Sequence, residues 1–464
     1  MTSSLARATL PFLAAATVVP SLALAQRPDS ARVARYVDSV GRLVVERGRA
    51  PGLAVAVFSR GRLVVARGFG LAVLDSAQPV TDTTVFRIAS VTKEFTAAAI
   101  LQLAERGTLS LDDPLRKWMP GWHPDAGVIT IRHLLSHTSG IVDVPYGSAT
   151  ARPVRLELAR DFHDSLLAWP RADTLRFRPG TSWQYSNAGY QLLGRIIERA
   201  SGQSYAAYVR EHLLQPLGLR HTTYCTSSTH APAHATGYSL DSTGRAVEAE
   251  RIDMEGPYSA GSLCSTVRDL IAWAAALQSG RVVSRASYAR MIAPRTFALD
   301  REQYGFGVQL ASLEGHASVS HDGAITGFGS RLASYPRDSL IVAVLGNTTA
   351  FVAAPLERQI AAFALGLPDP APLDVPIAAA DTTPVVGRFR ARGFGFTLTV
   401  RASADGLTGE LPGLGRFRLR RQSDREYVSA DDHYLRFRFV GNGARFGVIE
   451  LSEPGHAATL DRVP

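Results

Sequence analysis

The chain has 464 residues, 46% of them hydrophobic, and a formal net charge of +9. That length can fill a large core and predicts two domains. The positive charge is spread without a basic block, and no zinc-ligand spacing, helix-turn-helix cue or aromatic-basic stretch is present, so no nucleic-acid partner is expected.

Met1–Ala25 reads as a signal peptide. Arg7 supplies its positive start, Pro11–Leu24 its apolar stretch, and Ala23-Leu24-Ala25 a small-residue cleavage site. Pro20 breaks the apolar stretch, and no later segment approaches about 18 uninterrupted apolar residues, so no stable membrane span is expected. The expectation is a periplasmic or secreted protein. Cys225 and Cys264 could pair in such a compartment, and a disulfide is expected; two buried thiols are the alternative.

Ala31–Arg47 has Val33, Tyr36, Val37, Val40 and Val44 along one face and predicts an amphipathic helix. Leu53–Phe58 and Leu63–Phe69 flank Ser59-Arg60-Gly61-Arg62 and predict a hairpin in a well-covered sheet. Helix-rich sequence runs from Ser90 to about Leu277. Strand character returns at Tyr304–Leu310, Ala317–Ser320, Gly329–Tyr335 and Ser339–Leu345, before a helix near Ala353–Leu365. Strands, a long helical insertion and strands again make an α/β sheet domain with a helical subdomain, and a cleft between them is the natural site. Leu367–Pro384 is a Pro/Ala-rich linker. Beyond it, residues 385–464 alternate apolar and polar, as at Phe396, Leu398, Val400 and at Leu435, Phe437, Phe439. About six short strands, in a small antiparallel barrel, are expected there.

The chemistry concentrates in Phe86–Gly107. Ser90 and Lys93 stand three apart where an extended run enters a helix, so the amine can reach the hydroxyl. The first turn of that helix leaves N–H groups free for an oxyanion. Only two of the 50 Lys and Arg residues are lysines, Lys93 and Lys117. An amine can be made a base by burial, whereas a guanidinium cannot. Two further segments offer partners. Tyr185-Ser186-Asn187 precedes an apolar helix, Gln191–Ala200. His321-Asp322-Gly323 reads as a link between strands, where Gly323 permits close backbone approach and the Ala324 N–H can complete an oxyanion hole.

Ser-x-x-Lys, Tyr-x-Asn and His-x-Gly in this order resemble the class C β-lactamase superfamily of serine hydrolases, which includes β-lactamases, DD-peptidases, D-aminopeptidases and family VIII esterases. Accessory stretches add to it: LSLDDPLRKWMPGW at Leu109–Trp122, IRHLLSHTSGI at Ile131–Ile141 and AGSLCSTVRDLIAW at Ala260–Trp273. The resemblance implies an antiparallel sheet flanked by helices over residues 26–366. It implies Ser90 as nucleophile, Lys93 and Tyr185 as proton carriers, and Asn187 on the acyl side of the substrate. Ser90 and Ala324 would form the oxyanion hole, and His321 and Gly323 would border the leaving group. The substrate would be a small ester, amide or peptide, with no cofactor. The alternative is a penicillin- or peptidoglycan-binding protein that turns over slowly or not at all. Many relatives have Lys where this chain has His321. A histidine there would favour a substrate carboxylate only when charged, below about pH 6.

Other candidates have plainer roles. His133 and His137, like His230 and His234, are four apart, but neither pair has a third ligand in sequence, so no metal is expected. Asp112-Asp113 precedes Pro114 and suits capping. Gly202–Ala206 imitates a nucleophile elbow but follows a helix, not a strand.

Overall fold

A computed structural model describes residues 27–464 except 121–126, 144–174, 227–232, 242, 295–302, 370–372, 378–381, 393–395, 404–405, 412–414, 431, 442–444 and 455. The signal-peptide reading and His230 therefore lie outside the described residues.

Helix Ser30–Glu46 opens the chain, capped by the Asp29 carboxylate on the Arg32 N–H. Strands β1 (Gly52–Ser59), β2 (Arg62–Val73) and β3 (Gln78–Pro79) follow. Five short strands lie in the middle of the chain: β4 (Phe86–Arg87), β5 (Thr223–Tyr224), β6 (Tyr238–Leu240), β7 (Ala246–Glu248) and β8 (Leu263–Ser265). The sheet resumes with β9 (Gln303–Tyr304), β10 (Gln309–Leu313), β11 (His316–Ile325), β12 (Phe328–Tyr335) and β13 (Leu340–Gly346), before helix Ala353–Leu365. The eight-stranded sheet has the order β3-β2-β1-β13-β12-β11-β10-β9. Each pair for which a register is defined is antiparallel, so the two ends of the domain meet at β1 and β13.

Alternation along β1 sends Leu53, Val55 and Val57 to one face and Ala54 and Ala56 to the other. The first face is covered by helices Ser30–Glu46 and Ala353–Leu365, where Tyr36 and Phe363 stack at 4.0 Å. The second carries the helical region, with helix Thr92–Glu105 at its centre. That helix is buried nearly all round. Phe95 stacks on Trp273 of helix Val267–Ser279 at 3.8 Å, and truncating Phe95 would cost ~3–5 kcal/mol.

Two boundaries differ from expectation. Tyr304–Leu310 is split into β9 and β10 by a turn in which the Gly305 N–H bonds to the Val308 carbonyl. Gly307 adopts φ +71°, and a Cβ there would lie 2.5 Å from the Lys93 carbonyl oxygen, so the turn passes close to helix Thr92–Glu105. His321-Asp322-Gly323 does not link two strands. It lies within β11, whose turn into β12 comes later, between Ile325 and Phe328.

The C-terminal strands form a closed antiparallel barrel of eight strands, not six, from β14 (Gly387–Ala391) through β15 (Thr397–Ser403), β16 (Gly406–Leu411), β17 (Gly415–Arg421), β18 (Glu426–Ser429), β19 (Arg436–Val440) and β20 (Val448–Glu453) to β21 (His456–Val463). Phe389, Leu398, Phe417, Tyr427, Phe437 and Phe439 fill its interior. Its Tyr434 joins the core beneath helix Ala353–Leu365, and Arg358 of that helix pairs with Asp432 and Glu453 of the barrel.

Candidate active site

Ser90 is delivered by a short strand and a tight turn. Strand β4 is pinned to β8, and the next residue, Ile88, donates its N–H to the Leu263 carbonyl. The chain then makes a 3-10 turn, Ala89–Val91, entered at Ala89 with φ +45°. A non-glycine residue with positive φ is strained, and here the strain turns Ser90 to the helix mouth. Lys93 follows in the first turn of helix Thr92–Glu105.

The Lys93 Nζ is buried and meets three oxygens: Ser90 Oγ at 3.0 Å, Asn187 Oδ1 at 2.8 Å and the Ala260 carbonyl at 2.9 Å. Burial lowers its pKa from 10.5 to about 7, against the opposing charge of Asp143. A neutral amine has two N–H donors and one lone pair. Asn187 Oδ1 and the Ala260 carbonyl cannot donate, so they take the N–H groups and the lone pair is left for the Ser90 hydroxyl proton. Glu94, next in sequence, adds no charge near neutral pH: burial pushes its carboxyl up to about 8, although the Trp273 Nε1–H donates to it.

Tyr185 and Asn187 sit at the entry of helix Asn187–Ser201, capped by Ser186 Oγ on the Gly189 N–H. The helix thus begins at Asn187, four residues before the apolar run that announced it. The Asn187 amide is oriented by both ends, Oδ1 toward Lys93 and Nδ2 donating to Asp143 Oδ2 at 3.1 Å. Asp143 also accepts the Asn187 N–H (2.8 Å), the Ala188 N–H (2.9 Å) and the Ser186 hydroxyl (2.9 Å). The half-buried Tyr185 ring lies with its centroid 4.8 Å from Lys93 Nζ.

On the opposite wall, Gly323 and Ala324 of β11 pack on the Ser90 turn. A Cβ at Gly323 would lie 2.2 Å from the Ile88 carbonyl oxygen, so this glycine admits the chain that leads to Ser90 rather than a ligand. Ser330 Oγ donates to the same carbonyl at 2.8 Å. Ala324 is exposed beside the half-buried Ser90.

His321 departs most from expectation. It is 1% exposed. Its Nδ1 donates to the Asp322 carbonyl at 2.6 Å, which leaves Nε2 to accept from the Tyr304 hydroxyl at 2.8 Å. Burial and the Lys93 charge lower its pKa to about 4, so it is neutral at physiological pH. The expected carboxylate preference below about pH 6 does not fit that setting. Asp322 pairs with Arg331 at 2.8 Å, and Arg331 with the buried Glu357 at 2.9 Å.

Sequence reasoning missed Asp143 and Tyr304 and gave His137 no role in the site. His137 has φ +58°, outside helix Ile131–Leu135, so it does not share a helical face with His133, whose Nδ1 caps the Thr130 N–H. Asp113 accepts from the Ser110 N–H and Lys117, and Asp112 from Arg132, so neither caps helix Leu115–Trp118, whose N-terminus is Pro114, and the capping expectation is not met. Ser204 caps helix Tyr205–Val209.

Cys225 and Cys264 are joined, with Cα atoms 5.8 Å apart. They tie the end of β5 to β8, directly behind the Ser90 turn. Among the described residues, Cys225, His234 and Cys264 are the one group with metal-ligand atoms within 4.8 Å of one another, and its sulfurs are bonded to each other. These three residues line a cavity of about 530 Å³ with Arg87, Thr326 and Phe328. No described helix is long and apolar enough to cross a membrane.

The profile of the Beta-lactamase family matches residues 32–365. The chain is similar to Penicillin-binding protein 4* of Bacillus subtilis (strain 168), 32% identical over 289 residues, covering 59% of this chain and 63% of that protein. It is similar to Esterase EstB of Burkholderia gladioli, 37% identical over 203 residues, covering 41% and 52%. The chain therefore spans less than two thirds of the length of these relatives. Among solved structures, the octameric penicillin-binding protein homologue from Pyrococcus abyssi superposes with a TM-score of 0.64 at 24% identity, over 93% of this chain and 100% of that one; this likeness concerns the fold. D-amino acid amidase from Ochrobactrum anthropi SV3, complexed with L-phenylalanine amide, superposes with a TM-score of 0.58 at 25% identity, over 68% and 91%. With its sheet, helical region and family profile in register over residues 32–365, the chain belongs to the Beta-lactamase family.

Proposed function

We propose that this protein is an exported serine hydrolase that cleaves an ester or amide through an acyl-enzyme on Ser90. The observation that carries the reading is the buried Lys93 amine, held by two carbonyl oxygens so that its lone pair meets Ser90 Oγ at 3.0 Å. Ser90 Oγ attacks the substrate carbonyl carbon and its proton passes to Lys93 Nζ. The oxyanion is met by the N–H groups of Ser90 and Ala324. As the C–O or C–N bond breaks, Tyr185 supplies the leaving group with a proton. Water then attacks the acyl carbon, gives a proton back through Tyr185 and Lys93, and releases the acid and free Ser90.

The neutral His321 argues for a substrate without a carboxylate on the leaving-group side. Simple esters and amino-acid amides meet that condition better than β-lactams or peptide C-termini do. One relative is named an esterase and one neighbour a D-amino acid amidase. Export rests on Met1–Ala25 and on the Cys225–Cys264 bond.

The test is intact-mass detection of acylation across neutral esters, D- and L-amino acid amides and β-lactams, with Ser90→Ala as control. Turnover of a neutral ester or amide, with a transient adduct lost in Ser90→Ala, is the expected result. A stable adduct with β-lactams alone would favour a non-catalytic binding protein instead.

A further inference from the structure

We propose that His137 is a positioning residue for Tyr185, holding the backbone on both sides of it and bracing its ring from behind. The proposal rests on the reading of Tyr185 as the proton carrier. The Gln184 N–H bonds to the His137 carbonyl at 2.9 Å, and the Ser186 N–H to His137 Nδ1 at 3.1 Å. Both peptide groups flanking Tyr185 are thus tied to one residue. The imidazole lies against the Tyr185 ring, centroids 4.3 Å apart at 37°. Tyr304 and Tyr190 close the other sides at 4.7 and 5.0 Å.

Three properties set His137 apart from a residue that merely fills space. It is 1% exposed, and its Nε2 has no partner among the described residues. A buried polar atom without a partner costs stability that an apolar side chain would spare. It adopts φ +58°, a conformation costly for any non-glycine residue. Its Nδ1 must be unprotonated to accept the Ser186 N–H. Burial above all, and then the charge of Lys93, lowers its pKa well below the usual imidazole range, so the ring stays neutral and that acceptor is preserved.

The loop that carries His137 is itself braced. The Thr138 N–H bonds to the His133 carbonyl, the Gly180 N–H to the Thr138 carbonyl at 2.8 Å, and Ser136 Oγ meets Thr138 Oγ1 at 2.9 Å. Farther along the same loop, Asp143 holds Ser186, Asn187 and Ala188. His137 and Asp143 grip the Tyr185–Asn187 segment from its two ends. The tyrosine hydroxyl is thereby aimed from a frame rather than from a free loop.

The experiment compares His137→Leu, His137→Asn and His137→Gly with Tyr185→Phe on two esters of one acid. One ester has a nitrophenol leaving group, the other an alkyl alcohol. Leu puts a methyl where Nδ1 stands. Asn returns an acceptor oxygen to that place and tolerates the left-handed backbone. Gly removes the ring while relieving the backbone cost, so a folded variant without the ring is at hand if Leu does not fold. A nitrophenolate departs without a proton and an alkoxide does not, so a misplaced proton carrier harms the alkyl ester selectively. His137→Leu and His137→Gly are expected to lower the single-turnover rate of acylation by the alkyl ester about 100-fold, the scale of an ångström of misplacement, with the half-saturating ester concentration within about threefold. Acylation is the step compared, because the two esters share one acyl-enzyme and its deacylation. The nitrophenyl ester should lose far less, and Asn should recover most of the alkyl-ester rate. Equal losses on both esters, or no recovery by Asn, would overturn the proposal. If Tyr185→Phe itself lacks the leaving-group dependence, it is the proton-carrier role of Tyr185 that fails. If Tyr185→Phe has the dependence and the His137 variants do not, only the positioning role fails.

Discussion

Lys93→Arg isolates what the buried amine contributes. The fall in the Lys93 pKa from 10.5 to about 7 is caused by burial, and corresponds to ~5 kcal/mol in favour of the neutral form. Near pH 7 about half the molecules then hold a free lone pair, against about one in three thousand for an ordinary lysine. Arg keeps a positive charge but has no accessible deprotonated form, so it should behave like Lys93→Ala and lose at least about 1,000-fold in kcat/KM. The assay is kcat/KM for a neutral nitrophenyl ester from pH 5 to 9 in wild type, Lys93→Arg and Lys93→Ala. The neutral amine is the reactive form, so wild-type activity should rise through about pH 7 and then level off. The stability sign is opposite in origin. The folded pKa lies below the unfolded one, so between about 7 and 10.5 the unfolded chain holds more protons and stability rises with pH. Below that window the full cost of burying the cation stands, and Lys93→Met should melt higher than wild type while losing activity. Retention by Lys93→Arg of more than about a tenth of kcat/KM, a loss under ~1.4 kcal/mol, would refute the base role. So would a wild-type profile flat across the range.

Non-reduced, unfolded protein should titrate no thiols, and Cys264→Ser should cost ~3–4 kcal/mol of stability for a bond spanning 39 residues; two titratable thiols would contradict the pairing. The ratio of kcat/KM for a carboxylate-bearing ester to that for a matched neutral ester should stay flat from about pH 6 to 8 and change only toward pH 4, since His321 is buried and neutral. A break near pH 6 would place a solvated imidazole in the site. Asp432→Ala should destabilise the chain by ~3 kcal/mol, because it leaves the buried Arg358 guanidinium short of a partner. Removing Val385–Pro464 should leave acylation of a small ester largely intact while lowering the melting temperature, and a folded truncation that no longer acylates would show that the barrel completes the site.

What could be read from the sequence was what neighbouring residues decide among themselves. Ser90 and Lys93 lie within one turn, the β1–β2 hairpin closes on itself, and the alternation of Phe437 and Phe439 with arginines is set by the pleat. The frame around the site depends on residues far apart. His137 reaches Ser186 across 49 positions, Asp143 reaches Asn187 across 44, and no local period records either meeting. Helix Thr92–Glu105 was legible as a helix, but that it is buried on every side depends on neighbours that close over its small alanines. The barrel was undercounted because strands as short as Glu426–Ser429 offer too few alternations to announce themselves.

The same distance explains why His321 looked like a charge receptor and is instead buried and neutral. Its sequence context gives a histidine before Asp322 and Gly323; only the fold puts it beside Tyr304, Lys93 and His137. Three basic groups share one buried volume, and a charge on Lys93 lowers the proton affinity of both imidazoles. Both rings therefore remain neutral while Lys93 is charged, as the proposed proton transfer from Ser90 requires. A neutral ring in each position can keep its hydrogen bonds, to Ser186 and to Tyr304, through the whole cycle. A lysine at position 321 would add a second permanent cation to that volume, and the cost would fall on Lys93, driving its pKa lower and weakening it as the proton's destination. His321 thus suits a site that carries a single mobile positive charge.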